Sequence, residues 1–140
     1  MWTRLATVAD MDAITAADRL AEVATDRRAL IAKAIEDRSC FAAGREAEAE
    51  GYLLLARHHF FSRDFISLVV VHEAARRSGL ASALMAAAEA ACDGAQLFTS
   101  TNASNQPMRA LLAKRGYLSA GTVDHLDPGD PELIFVKYVR

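Results

Sequence analysis

Only two of the 140 residues are cysteine, Cys40 and Cys92. Two thiols so far apart make neither a disulfide framework nor a set of ligands at metal-binding spacing, so no metal is expected. No apolar run approaches the roughly 20 residues that cross a bilayer, and the first residues lack the basic-then-apolar pattern of a secretory leader. Basic residues are not in excess: 16 Lys and Arg stand against 18 Asp and Glu, for a formal charge of −2. Without a basic stripe, nucleic acid is excluded as a partner. These absences point to a cytoplasmic protein that touches neither membrane nor nucleic acid. What the chain does have is apolar content of 52% against 24% charged, enough for one core, and the length suits a single domain over residues 1–140.

The stretch from Val69 to Leu84 is the most informative. An apolar β-type run, Val69-Val70-Val71, breaks at His72-Glu73 into the basic turn Arg76-Arg77-Ser78-Gly79, and an alanine-rich helix opens at Leu80-Ala81. A strand that feeds a glycine-containing turn and then a helix gathers unpaired backbone N–H groups at the positive end of a helix dipole. That arrangement suits a phosphate or pyrophosphate. Gly79 is the only glycine there, so neither the dinucleotide fingerprint nor the P-loop is present.

Alternation and turn residues organise the rest. Residues 3–8 read as a strand, and Asp10 as the cap of a helix carrying Met11, Ile14, Ala17 and Leu20 or Ala21. A second helix is expected from Asp26 to about Arg38, with Leu30, Ile31, Ala34 and Ile35 on one face. Strands follow at 39–44, 51–59 and 65–72, with a turn at Phe60–Arg63. A helix at about 78–91 turns Leu80, Leu84, Ala87 and Ala91 inward and is closed by Gly94. A strand at 96–101, a helix at 104–114 closed by Gly116, and strands at 117–123 and 133–139 complete the chain. The turn-rich Asp127-Pro128-Gly129-Asp130-Pro131 between the last two strands reads as a mobile loop. This order gives an α/β (α+β) fold, a mixed and mostly antiparallel sheet of about seven strands with helices on both faces.

Arg76-x-x-Gly79-x-Ala81 directly after a strand resembles the acyl-CoA pyrophosphate loop of the GNAT superfamily of N-acetyltransferases. Val71 and Leu84 also fall in register, while Glu73 replaces a usual proline and Arg77 a usual glycine. Asn105-x-x-Met108-x-x-Leu111-Leu112-x-x-x-Gly116-Tyr117 resembles the family's second motif, and residues 3–12 look like its first strand and helix start. The resemblance implies acetyl-CoA as co-substrate, with no metal. It assigns the pyrophosphate to Arg76, Arg77, Ser78, Gly79, Leu80 and Ala81, the pantetheine to main-chain groups at Val69, Val70 and Val71, and a contact with the cofactor arm to Asn105. It further implies that the strands at 65–72 and 96–101 splay apart.

The implied activity is acetyl transfer from acetyl-CoA to a primary amine, of a small molecule, by direct attack in a ternary complex. A non-catalytic acyl-CoA-binding module and an enzyme for a protein N-terminus or lysine are the alternatives. The family often places a proton-donating tyrosine where this chain has Leu112, so the acid is unassigned. Candidates for the base are His59, Ser67 and His72, with His58 and Asp64 nearby, whereas Glu73 reads as a surface loop residue and Tyr117 as a core aromatic. Family members commonly form homodimers, and Leu53-Leu54-Leu55 or Phe60-Phe61 would supply an apolar contact if exposed.

Overall fold

A computed structural model describes residues 1–19 and 25–140. Seven strands pair in the order β1-β2-β3-β4-β5-β7-β6. They are β1 (Trp2–Leu5), β2 (Cys40–Gly44), β3 (Gly51–Phe60), β4 (Arg63–Val71), β5 (Gln96–Asn102), β6 (Leu118–Val123) and β7 (Glu132–Tyr138). The described helices are α1 (Met11–Ala17), α2 (Thr25–Glu36), α3 (Leu80–Ala91) and α4 (Gln106–Lys114). The β4–β5 pair is parallel, whereas β1–β2, β2–β3, β5–β7 and β6–β7 are antiparallel. The sheet is therefore mixed and mostly antiparallel, as the element order led one to expect. Leu20 and Ala21, assigned to the first helix from the sequence, lie outside the described residues.

The chain divides into two compact units, one of residues 1–56 and 67–91, the other of residues 57–66 and 92–140. In the first unit, every residue of β2 is buried, because both faces of this strand are covered. Cys40, Ala42, Tyr52 and Leu54 on one face pack with Ile14 of α1 and with Ile31 and Ala34 of α2. Their neighbours Phe41, Ala43, Leu53 and Leu55 alternate onto the opposite face and are also buried, and α3 packs against β1 and β2. Leu53, Leu54 and Leu55 are thus core residues and do not form the exposed apolar contact considered above. Leu30, expected on the inner face of α2, is 49% exposed; the buried stripe runs through Ile31 and Ala34. On α3 the buried residues are Leu80, Leu84, Met85 and Ala88, so Met85 and Ala88 displace Ala87 and Ala91 from the inward face.

The hinge into α1 is an ionic lock. Thr7 opens a single 3-10 turn, Val8–Asp10, and Asp10 Oδ2 accepts the Thr7 amide at 2.8 Å. Arg4 grips both oxygens of the same carboxylate, at 2.6 and 2.9 Å. Asp10 therefore precedes α1 as expected, but its carboxylate serves the preceding turn and not the first amides of α1.

In the second unit, Thr99 Oγ1 donates to the Ile66 carbonyl at 3.0 Å beside the parallel pairs Asp64–Leu97, Phe65–Phe98 and Ile66–Thr99. The β3–β4 hairpin turns at Phe61 and Ser62, both with positive φ, a twist that matches the flanking strands. Gly116, at φ +85°, ends α4 as expected. Gly94 is not among the positive-φ glycines, so it follows α3 without supplying a left-handed cap. The loop after β6 is tied down, not loose. Asp130 accepts the amide and the hydroxyl of Ser104, and Asn102 Nδ2 donates to Asp127 Oδ2 at 2.8 Å.

Candidate functional site

Strand β4 enters the site through Leu68 and Val70, which pack on the core shared by α1 and α2, so Val69 and Val71 face the other way. Gly51 permits the close approach of β3 here: a Cβ on it would lie 2.9 Å from the Val70 carbonyl. The strand ends at Val71, and the His72 amide is held by the Glu50 carbonyl at 2.7 Å. Glu50 is fixed in turn, since its side chain accepts three bonds from Arg45, which hold its pKa down to about 2.

A 3-10 turn, Glu73–Ala75, then redirects the chain. His72 caps it, with Nδ1 accepting the Ala74 amide at 3.0 Å. A neutral imidazole so bonded carries its proton on Nε2, which makes His72 a hydrogen-bond donor toward solvent.

Arg76 follows in an extended conformation and its Nε donates to the Val71 carbonyl at 3.4 Å. Arg77 has φ +64° and Gly79 φ +89°, and Ser78 Oγ donates to the Ala75 carbonyl. The first bond of α3 runs from the Ala83 amide to the Gly79 carbonyl at 3.0 Å, so the amides of Leu80 and Ala81 precede it. No acid sits in the first turn of α3 to neutralise its dipole. Neither Arg76 nor Arg77 pairs with a carboxylate among the described residues. A Cβ at Gly79 would meet only the flexible end of Met1, at 3.4 Å. The backbone there is open on its outer side, positively biased and supplied with amides. These properties fit a pyrophosphate.

A cleft of about 490 Å³ adjoins this loop, lined by Ala16, Ala17, Asp18, Arg19, Val70, His72, Glu73 and Arg76. Asp18 caps the end of α1 and Arg19 follows it, and no spacing in the chain marks either residue. Asp18 is 5% exposed and accepts bonds on Oδ2 from the Tyr52 hydroxyl at 2.5 Å and from Arg27 Nη1 at 2.9 Å. Burial, and then the bond to Asp18, push the fully buried Tyr52 phenol well above its usual range. Of the base candidates, His72 lies on this cleft. Ser67 is in the same unit and donates to the Leu54 carbonyl at 3.4 Å.

The remaining candidates belong to the second unit. His59 is exposed, its ring 6.3 Å from that of Phe65. Asp64 is 2% exposed and accepts the amides of His58 and Asp93, at 2.9 and 3.0 Å. Burial raises its pKa, but those two amides and Arg57 more than offset this and leave it below the usual range. His58, Asp64 and Asp93 bring ligand atoms within 4.8 Å of one another. The Arg57 guanidinium offsets one of the two negative charges of that cluster, 3.3 Å from Asp64 and 3.6 Å from Asp93. Asn105 caps α4, its Oδ1 accepting the Met108 amide at 3.2 Å. Leu112 is fully buried, and Tyr117 is 6% exposed, a core aromatic as expected.

The acetyltransferase (GNAT) family model matches residues 9–117. A GNAT-family acetyltransferase from Bacillus cereus ATCC 10987 is similar at 31% identity, with a TM-score of 0.91 over 98% of this chain and 96% of that one. YncA from Salmonella typhimurium, solved with its cofactor acetyl-CoA, shares the fold at 16% identity and a TM-score of 0.78, covering 99% and 94%. A ribosomal-protein-alanine N-acetyltransferase from Brucella melitensis shares it at 20% identity and a TM-score of 0.72, covering 99% of each chain. No curated protein matches. With the loop, the fold and the family model in agreement, the chain belongs to the GNAT acetyltransferases, which are acyl-CoA-dependent transferases.

Proposed function

We propose that this chain transfers the acetyl group of acetyl-CoA to the primary amine of a small molecule, by direct attack within a ternary complex. The observation that carries the reading is the cleft of about 490 Å³ that shares His72, Glu73 and Arg76 with the turn into the cofactor loop. Its volume suits a small ligand, in the range of ordinary small-molecule sites. Arg76, Arg77, Ser78, Gly79, Leu80 and Ala81 hold the pyrophosphate, and the main chain of Val69, Val70 and Val71 takes the pantetheine arm in the manner of an added strand. Asn105 adds a cofactor contact from the start of α4 while keeping its capping bond. When bound, acetyl-CoA supplies the activated thioester. The protein's part is to align the amine with it and to exclude water, and such alignment is worth many powers of ten in rate.

Titration calorimetry with acetyl-CoA and with free CoA, followed by assay of CoA release across a set of primary amines, tests the proposal. Micromolar binding with amine-dependent release supports it. Binding without release from any small amine leaves an acyl-CoA sensor or a protein acetyltransferase. The absence of binding by the folded protein overturns it.

A further inference from the structure

Four of the eight residues lining the cleft carry charge: Asp18, Arg19, Glu73 and Arg76. Two of them already have work inside the fold. The Asp18 carboxylate receives Arg27 and Tyr52, and Arg76 donates to the Val71 carbonyl at the cofactor turn. The His72 lone pair at Nδ1 holds the Ala74 amide. That leaves Glu73 and Arg19, and among the described residues neither has an ion-pair partner. Arg76 also lacks a carboxylate partner, but it is turned to the Val71 carbonyl at the start of the cofactor loop. Besides it, the cleft takes one unpaired charge of each sign, Glu73 from the 3-10 turn after β4 and Arg19 from two residues beyond α1.

We infer that the acceptor is a small zwitterion, a primary amine that also carries a carboxylate, with its ammonium group received by Glu73 and its carboxylate by Arg19. The inference rests on the small-amine reading of this cleft. A planar guanidinium matches a carboxylate through two parallel bonds, and an ammonium group seeks an anion. Both side chains are exposed and hydrated in the free protein, so a ligand lacking either charge forgoes one of the two ion pairs and binds more weakly by that pair.

The same placement handles the proton. The bound ammonium gives one proton to the Glu73 carboxylate, directly or through a water, and the freed lone pair attacks the thioester carbonyl carbon. The C–S bond breaks and its electron pair leaves on sulfur. The second nitrogen proton goes to the thiolate, giving the amide and free CoA, and Glu73 returns its proton to solvent.

The test uses the full chain with acetyl-CoA, monitoring CoA release. The probes are the nineteen standard amino acids that carry a primary α-amine, and glycylglycine, each paired with its carboxamide and, where one exists, with the bare amine lacking the carboxylate. The expected result is a kcat/KM for carboxylated amines at least about tenfold above that of their carboxamides. Arg19→Ala should erase that preference by raising KM for the carboxylated acceptor while calorimetric affinity for acetyl-CoA holds. Glu73→Gln should lower kcat/KM about tenfold for every amine, with partial recovery in Glu73→Asp. Equal use of acids, carboxamides and bare amines overturns the inference and leaves the small-amine function standing. So does a preference that survives Arg19→Ala. Acetyl-CoA binding with no amine in the set acetylated overturns the small-amine function itself.

Discussion

Arg77 and Gly79 occupy the same left-handed region of backbone space, at φ +64° and φ +89°, with Ser78 between them. Glycine adopts that region freely, whereas a residue with a Cβ meets a steric penalty of about 1 kcal/mol there. Arg77 stands where the family's loop usually has glycine, so the chain keeps the glycine-like conformation while adding a guanidinium at the edge of the anion site. Arg77→Gly should fold at least as well as the parent, its thermal midpoint unchanged or raised, while the calorimetric Kd for acetyl-CoA weakens several-fold. Gly79→Asp meets that same penalty at φ +89°, but only the end of Met1 lies near a new Cβ, so it should remain folded with a slightly lower thermal midpoint, yet lose acetyl-CoA binding. Intact affinity in a folded Gly79→Asp variant would remove the pyrophosphate from this loop.

Leu112 sits where many relatives place a proton-donating tyrosine. From the sequence alone, Leu112→Tyr is expected to raise turnover if a missing acid limits the rate. The structure gives the opposite expectation, because Leu112 is fully buried and a phenol there would be overpacked. A destabilisation of about 1–3 kcal/mol is expected from the added volume. Chemical denaturation should show that loss, and CoA release on any accepted amine should not rise.

The strands and helices were legible because each carries its own period and its own punctuation. β4 is dense in branched residues, α4 is bracketed by Asn105 and Gly116, and both motifs of the family are local in sequence. The strand, turn and helix over residues 69–84 were legible for the same reason. The cleft beside them was not, since it joins Asp18 and Arg19 to His72 and Glu73 across some fifty residues, and no local pattern encodes such a meeting. Leu30 shows a smaller failure of the same kind. The helical period marks a stripe, but only the packing of α2 on β2 decides which edge of the stripe stays in water. The Asp127–Pro131 loop reads as loose by composition, yet Asn102 and Ser104 fasten it through its own aspartates.

Acid should unfold this protein in a defined window. Asp10, Glu50 and Asp64 are all held below the ordinary carboxylate range. The bond from Arg4 leads at Asp10 and the bond from Arg45 at Glu50, while at Asp64 the amides of Asp93 and His58 with Arg57 overcome burial. A carboxylate with a lowered pKa in the fold stabilises it above its unfolded value, and that contribution is lost as pH falls through the folded value. The loss therefore begins near the usual carboxylate value of about 4 and continues to about 2, the value at Glu50. Thermal midpoints should be flat from neutral pH down to about 5 and then drop steeply. In Asp64→Asn the melting temperature at neutral pH should already be lower, with a shallower fall in acid.

Cys40 should be inert in the native protein. It is fully buried in the core between β1 and β3, and burial, with a smaller push from the Asp10 charge, raises its thiol pKa to about 12. The thiolate is the reacting form, so at pH 8 almost none is present, and no reagent reaches the sulfur without opening the sheet. Cys92, 1% exposed and also raised by burial, should behave likewise. Iodoacetamide at pH 8 is expected to leave both thiols unmodified for hours and to alkylate both at once in denaturant. With Cys92→Ser as the background, the alkylation rate of Cys40 across a denaturant series should follow the unfolding transition itself. Fast labelling of Cys40 under native conditions would mean that β2 opens locally, well below the global unfolding free energy.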